Sequence, residues 1–476
     1  MPNDLTLVLD IGKSNAKLVL IDAAGEVLAS AKSANQSAPS AEFGFVALGT
    51  GPLADWIERS APELLQGRAP SKISVTTHGA AFCALDEAGL ALPPIDYEWD
   101  GYGEVTAAFE ASLANFAHHG TPRLPQGLNA GRQIDYVLRR WPELAARIRC
   151  WLPYPQYWAW WLSGAACSEV SSLGCHTGLW APAERRYSDW AQARGIAFAP
   201  LRQAWETIGT LRPALLRAWG LPAGAEVQVT AGVHDSNACL ARYLRQDLDG
   251  RPDATVVSTG TWCIVMAPGA DIARLSPQRD ELANVAVDGR AVATARFMGG
   301  REFATLCGGA DPALGTAQAL EQVLREGWMA LPAFADSGGP FMGRRGTVLK
   351  QGQSVGLEAV PSVLRPALAA LYCADLSALL VGDLGQQGAG GPVIVEGPMA
   401  QSPAYRLAIA GLLGPRPAYR STDALEGTAR GAWMLARWNG QTGAGAQLER
   451  LKRAAPAFEE ALRIHTQAWR TASTMN

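Results

Sequence analysis

No run of like charge interrupts this sequence: 41 basic and 44 acidic residues are mixed along 476 positions, for a formal net charge of −3. A chain without a basic stretch has little to hold a phosphodiester backbone or an anionic bilayer, so neither nucleic acid nor membrane is expected as a partner. The eight cysteines (Cys83, Cys150, Cys167, Cys175, Cys239, Cys263, Cys307 and Cys373) never form a Cys-x-x-Cys pair. Buried free thiols in a reducing cytoplasm are expected, not a zinc site or a disulfide framework. His118-His119 has no Cys, Asp or Glu at ligand spacing beside it and reads as a solvated loop pair. The N-terminus lacks the basic segment of a secretory signal, and the most aromatic stretch, 157–162, is too short to span a bilayer. No Gly-x-x-x-x-Gly-Lys-Ser/Thr occurs, which disfavours a P-loop enzyme.

What the chain has is 48% apolar and 18% charged residues with 50 glycines and 30 prolines, the profile of a turn-rich globular enzyme. Its length exceeds what one core usually supports. Two domains, 1–248 and 249–476, are expected on either side of the polar stretch 245–253. Residues 5–9 and 16–22 are β-rich runs around a polar, glycine-containing turn, and a second turn at 23–26 leads to Val27-Leu28, giving a β-meander. Two further strand patterns, 72–77 and 226–233, end at His78-Gly79 and at His234-Asp235. Open α/β sheets place their ligands at such strand ends. Asp235 and Ser236 have N-cap chemistry for a helix that follows. The stretch 254–266 repeats the opening strand, polar turn and strand, a faint duplication that suggests two like halves facing one cleft. Another strand, 392–395, precedes a turn at 396–402, and helical patterns cover 405–413, 424–438 and 447–469. Strands alternating with helices define an α/β class. The density of Trp151, Trp158, Trp160 and Trp161 reads as core packing in preference to sugar stacking.

Phosphoryl transfer needs hydroxyls and backbone N–H groups for phosphates, a carboxylate for magnesium and a base for the attacking oxygen. Asp10-Ile11-Gly12-Lys13-Ser14-Asn15, Gly232-Val233-His234-Asp235 and Ser258-Thr259-Gly260-Thr261-Trp262 occur in the order and spacing of the two phosphate motifs and the catalytic segment of FGGY carbohydrate kinases, which the chain resembles over nearly its whole length. Leu162-Ser163-Gly164, Glu169-Val170-Ser171-Ser172 and Thr177-Gly178-Leu179-Trp180 resemble the family too. The resemblance implies two ribonuclease-H-like domains of the actin and Hsp70 superfamily, an active-site cleft between them, sugar held mainly by the first and ATP by the second. It implies Asp10 as the magnesium group, Gly12, Lys13, Ser14 and Asn15 near the transferring phosphate, and Thr259, Gly260 and Thr261 on the nucleotide phosphates. Asp235 would be the general base. His78, Gly79, Asp96, Tyr97, Glu98 and Asp235 would bind the sugar, while Gly299, Gly300, Gly397 and Ser402 would line the nucleotide site. Two segments depart from the family's pattern: Tyr97-Glu98-Trp99-Asp100-Gly101 replaces Trp-x-Asp-x-Arg, and Glu396-Gly397-Pro398 replaces a triple glycine.

The resulting expectation is a cytoplasmic, ATP- and Mg2+-dependent transferase that phosphorylates a ketose or related polyol, with a homodimer as the assembly considered. The alternatives are a non-catalytic nucleotide-binding regulator on the same fold, which would not require a base after the 226–233 strand, and a degenerate kinase, which the altered 396–398 turn would signal.

Overall fold

The computed structural model describes residues 4–113, 115–244, 248, 250, 253–422, 427–438 and 446–475. The chain divides into two compact units. The first comprises Met1–Tyr243, Ala283–Ala291 and Glu426–Gly445, and the second Leu244–Leu282, Val292–Leu425 and Ala446–Asn476.

In the first unit, β1 (Thr6–Ile11), β2 (Asn15–Ile21) and β3 (Val27–Ala34) form the expected antiparallel meander. With β4 (Lys72–Thr77), β5 (Thr207–Thr210), β6 (Gln228–Thr230) and β7 (Val233–His234) they build a sheet ordered β5-β6-β4-β1-β2-β3, with β7 also paired to β4. β4 runs parallel to β1, β6 and β7. Side chains alternate across a strand, and both faces are covered. Leu7, Leu9 and Ile11 pack with Leu53, Ile57, Trp158 and Leu162, whereas Val8, Val19 and Ile21 pack with Ala429, Ala432 and Trp433. The last three lie on the helix Gly427–Ala436, and the Trp433 indole donates to the Asp22 carbonyl at 3.0 Å. Trp151 and Trp158 are buried, with Trp160 and Trp161 packed against the core, as the packing reading expects.

In the second unit, β8 (Thr255–Thr259), β9 (Cys263–Pro268), β10 (Ala291–Phe297), β11 (Val393–Glu396), β12 (Ala418–Ser421) and β13 (Leu448–Arg450) neighbour one another in the order β10-β9-β8-β11-β12-β13. β8 and β9 pair antiparallel, β9 and β10 likewise, while β8, β11 and β12 run parallel. Order and sense repeat those of β3-β2-β1-β4-β6, so the faint duplication in sequence is a duplication of topology. At the centre lies Arg365–Gln386, a helix long and apolar enough to cross a membrane by length and composition, with 83% of its apolar window buried inside the protein. No feature at 157–162 or elsewhere in the sequence reading singled it out.

Three local expectations need correction. His118 and His119 form part of a helical turn, Phe116–His119, not a solvated loop. His119 is buried, its Nδ1 accepts from the Thr121 N–H at 3.0 Å, and burial pushes its pKa down to about 4. The helical pattern placed at 447–469 begins with strand β13, and the helix spans Pro456–Met475. Asp235 starts its helix, Asp235–Ala241, but His234 occupies the cap position and no side chain caps it. The Asp235 carboxylate instead accepts from its neighbour, Ser236, at 2.5 Å from the backbone nitrogen and 3.1 Å from the hydroxyl.

Candidate active site

Strand register assembles the site in the first unit. Asp10 pairs with Thr76 on one side of β4, and Val233 pairs with Thr76 on the other. Asp10 and Val233 are thus two strand spacings apart, about 10 Å, and Asp235 follows β7 at the same carboxyl edge. His78 continues β4, and its N–H donates to the Ile11 carbonyl at 2.8 Å, which ties it to β1.

The His78 ring is buried, edge-on to Tyr97 and tilted against Tyr154, with centroids 5.4 and 5.0 Å away. Nδ1 lies 2.9 Å from the Gly79 carbonyl, an acceptor, so it carries the hydrogen and Nε2 presents a lone pair. Burial lowers this pKa more than the Gly79 carbonyl and the Asp235 charge raise it, so the ring is neutral. Nε2 is buried without a hydrogen-bond partner. Burial, followed by the charges of Glu98, Asp235 and Asp96, raises the Tyr97 hydroxyl pKa. Asp235, with a side chain 33% exposed, therefore shares one neighbourhood with His78 and Tyr97.

Lys13 closes that neighbourhood. Its ammonium pairs with Asp96, lies 3.3 Å from Glu98 and 3.4 Å from the Ser37 hydroxyl, and sits 5.1 Å above the Tyr97 ring. Burial pushes the Asp96 carboxyl up, but hydrogen bonds from Lys13, Ser37 and the Glu98 N–H outweigh it and hold it below the usual range. The Lys13 charge is thus engaged with the 96–98 segment. The Gly12–Asn15 turn is held by its own 2.8 Å bond from Gly12 N–H to the Asn15 carbonyl, and by Asn35, which donates to the Gly12 carbonyl at 2.8 Å. Ser14 and Asn15 are exposed.

The second unit contains a cavity of about 710 Å³ lined by Thr259, Gly260, Thr261, Gly300 and Ser402 together with Arg301, Phe303, Pro312, Ala313 and Met399. Five residues expected at a nucleotide site are thereby brought together, with apolar groups around them. Gly397 and Gly299 stand just behind the lining, Gly397 against Thr259 and Gly299 against Cys263. Ser402 caps the helix Pro403–Leu412 by accepting from Tyr405 N–H at 3.4 Å. The Thr259 hydroxyl donates to the Glu396 carbonyl at 2.6 Å and accepts from Met399 N–H at 3.1 Å, joining the ends of β8 and β11. Thr259→Val removes both bonds and takes from the buried Met399 N–H its hydroxyl acceptor, so chemical denaturation should show a loss of about 1–3 kcal/mol. Sequence reasoning missed Pro312 and Ala313, whose side chains are ordinary turn types that carry no chemical signal.

Residues 5–241 match the N-terminal domain of the FGGY family of carbohydrate kinases, and residues 251–444 match the carbohydrate kinase FGGY C-terminal domain. The crystal structure of a carbohydrate kinase from Novosphingobium aromaticivorans is 32% identical, covers 100% of this chain and 99% of its own, and superposes with a TM-score of 0.88. Xylulose kinase from Rhodospirillum rubrum shares the fold at 19% identity and a TM-score of 0.77, over 99% of this chain and 98% of its own. L-fuculokinase from Salmonella typhi is 29% identical over 298 residues, 57% of this chain. That match spans only 58% of the curated relative's length. Both halves of the chain match, in order, and the solved relative matches end to end: the chain belongs to the FGGY family of carbohydrate kinases.

Proposed function

We propose that this protein transfers the γ-phosphate of ATP to a hydroxyl of a ketose or related polyol. The observation that carries the reading is the partly exposed Asp235 carboxylate sharing a neighbourhood with His78 Nε2, a buried lone pair without a partner. A buried acceptor of this kind is costly unless a donor reaches it, and a sugar hydroxyl is such a donor. Asp235 then accepts the proton of the attacking hydroxyl as its oxygen bonds to the γ-phosphorus and the bond to ADP breaks. Tyr97, Asp96 and Glu98 surround the sugar, with Lys13 fixing the two carboxylates. Gly79 packs against the His234 ring.

The second unit's cavity fits the nucleotide, with Thr259, Gly260 and Thr261 as phosphate contacts and Gly300 and Ser402 in its lining. Among the described residues no group of three or more His, Cys, Asp or Glu could hold a metal by itself. A magnesium ion that travels with ATP needs only one or two protein carboxylates beside the phosphates, and the single carboxylate Asp10 fits that requirement. The ion neutralises phosphate charge when bound.

L-fuculose heads the candidate substrates because curated relatives are L-fuculokinases; L-rhamnulose, L-ribulose, xylulose and glycerol complete the panel. With ATP and magnesium, ADP release should appear with one ketose and be near background without sugar. Release that ignores the sugar, or no release with any, would defeat the proposal and favour the regulator or degenerate-kinase reading.

A further inference from the structure

His234 has no part in the chemistry above, yet its buried ring lies in polar contact with the base. Its Nε2 lies 3.2 Å from Asp235 Oδ1 and 3.5 Å from Cys175 Sγ, and its Nδ1 lies 3.1 Å from Asn237 Nδ2. The ring is buried, and a Cβ placed on Gly79 would come within 2.7 Å of Nε2, so the glycine backbone covers it and substrate cannot touch it. An ionised carboxylate only accepts hydrogen bonds. The 3.2 Å contact is therefore favourable only if Nε2 carries the hydrogen. In a neutral ring that leaves Nδ1 as an acceptor, and the Asn237 amide is the donor placed to meet it. The opposite amide orientation would turn two acceptors, Nε2 and the carboxylate, toward each other.

We propose that His234 is a positioning residue: its Nε2–H, in a tautomer selected by Asn237, holds the Asp235 carboxylate in place to receive the sugar proton. The inference rests on the reading of Asp235 as the base. Burial lowers the His234 pKa against the pull of Asp235, which agrees with a neutral ring acting as a donor. Support for the arrangement extends one element further. Cys175 follows the short helix Val170–Leu173, whose start is fixed by the fully buried Glu169 accepting from Ser171 and Ser172 N–H at 3.0 and 3.1 Å. His78 and His234 thus meet at one site with opposite tautomers.

Two variants separate this role from packing. Glutamine at this position sets an amide nitrogen near the place of Nε2, whereas asparagine reaches only the place of Nδ1. His234→Gln should keep turnover within a few-fold of wild type. His234→Asn should lower kcat by about 10–100-fold, as expected for a misplaced reacting group, with the KM values for sugar and ATP little changed. The other groups facing the pair, Cys175, His78 and Tyr97 with Lys13 and Asp96 behind them, are the same in both variants. Independently of turnover, 15N-histidine NMR on a chain with only six histidines should show an Nε2–H neutral ring that disappears in His234→Gln. An Nδ1–H or cationic His234, or a wild-type kcat in His234→Asn, overturns this inference alone. Absence of any sugar-dependent ADP release overturns the kinase reading and this inference with it.

Discussion

Asp235→Asn is expected to cut kcat by about 10²–10⁴-fold without moving the unfolding midpoint. Asparagine keeps an oxygen where Oδ1 now accepts from Ser236 at 2.5 and 3.1 Å, 3.2 Å from His234 Nε2. The local contacts therefore survive. What goes is basicity: an amide does not take up a proton in the neutral range, so the attacking hydroxyl would have to release its proton to water. Because asparagine can still hydrogen-bond a sugar hydroxyl, KM should change far less than kcat, the signature of an interaction needed in the transition state. Steady-state kinetics at saturating sugar, beside a thermal melt, decide it. Turnover near the wild-type rate would show that some other group takes the proton.

The parts of this site that were legible in sequence are those where short-range pattern and chemistry coincide. Buried strand runs ending in polar residues, at Asp10, His78 and Asp235, mark the carboxyl edge of a parallel sheet because strand length and side-chain alternation are local properties. The Thr259 turn was legible for the same reason, and the repeated strand-turn-strand pattern foreshadowed the repeated strand order. What escaped depends on contacts between segments remote in sequence. The helix Gly427–Ala436 belongs with β1 and β2, a placement fixed by Trp433, Ala429 and Ala432 packing on Val8, Val19 and Ile21, and nothing in its own apolar stripe names that partner. Lys13 reads as a phosphate neighbour from its place in the turn, but its ammonium is engaged by Asp96 and Glu98. The cap position at 234 went unread because histidine is a poor predictor of helix starts, whereas Asp235 beside it is a good one.

The altered turn at Glu396-Gly397-Pro398 gives the second large effect. Gly397 has φ 86° and ψ −169°, a region that residues with a Cβ essentially do not occupy. A Cβ there would also stand 2.0 Å from the Thr259 carbonyl oxygen and 2.8 Å from its hydroxyl. Neither obstacle can swing aside: the carbonyl is backbone at the end of β8, and Ser258 is held in register with Glu396 across the parallel pair. Gly397→Ala is thus expected to destabilise the protein by about 2–6 kcal/mol, summing backbone strain and forced displacement in a packed region. The displacement falls on the Thr259 turn, so binding of a non-hydrolysable ATP analogue, followed by calorimetry, should weaken as well. Gly382→Ala is the matched control in the same unit. It sits within the helix Arg365–Gln386 with open space around its would-be Cβ, where alanine should stabilise by about 0.5–1 kcal/mol. A Gly397→Ala protein that melts and binds like wild type would mean that the β11 turn does not press on Thr259, and the glycine retained within an otherwise altered motif would need another cause.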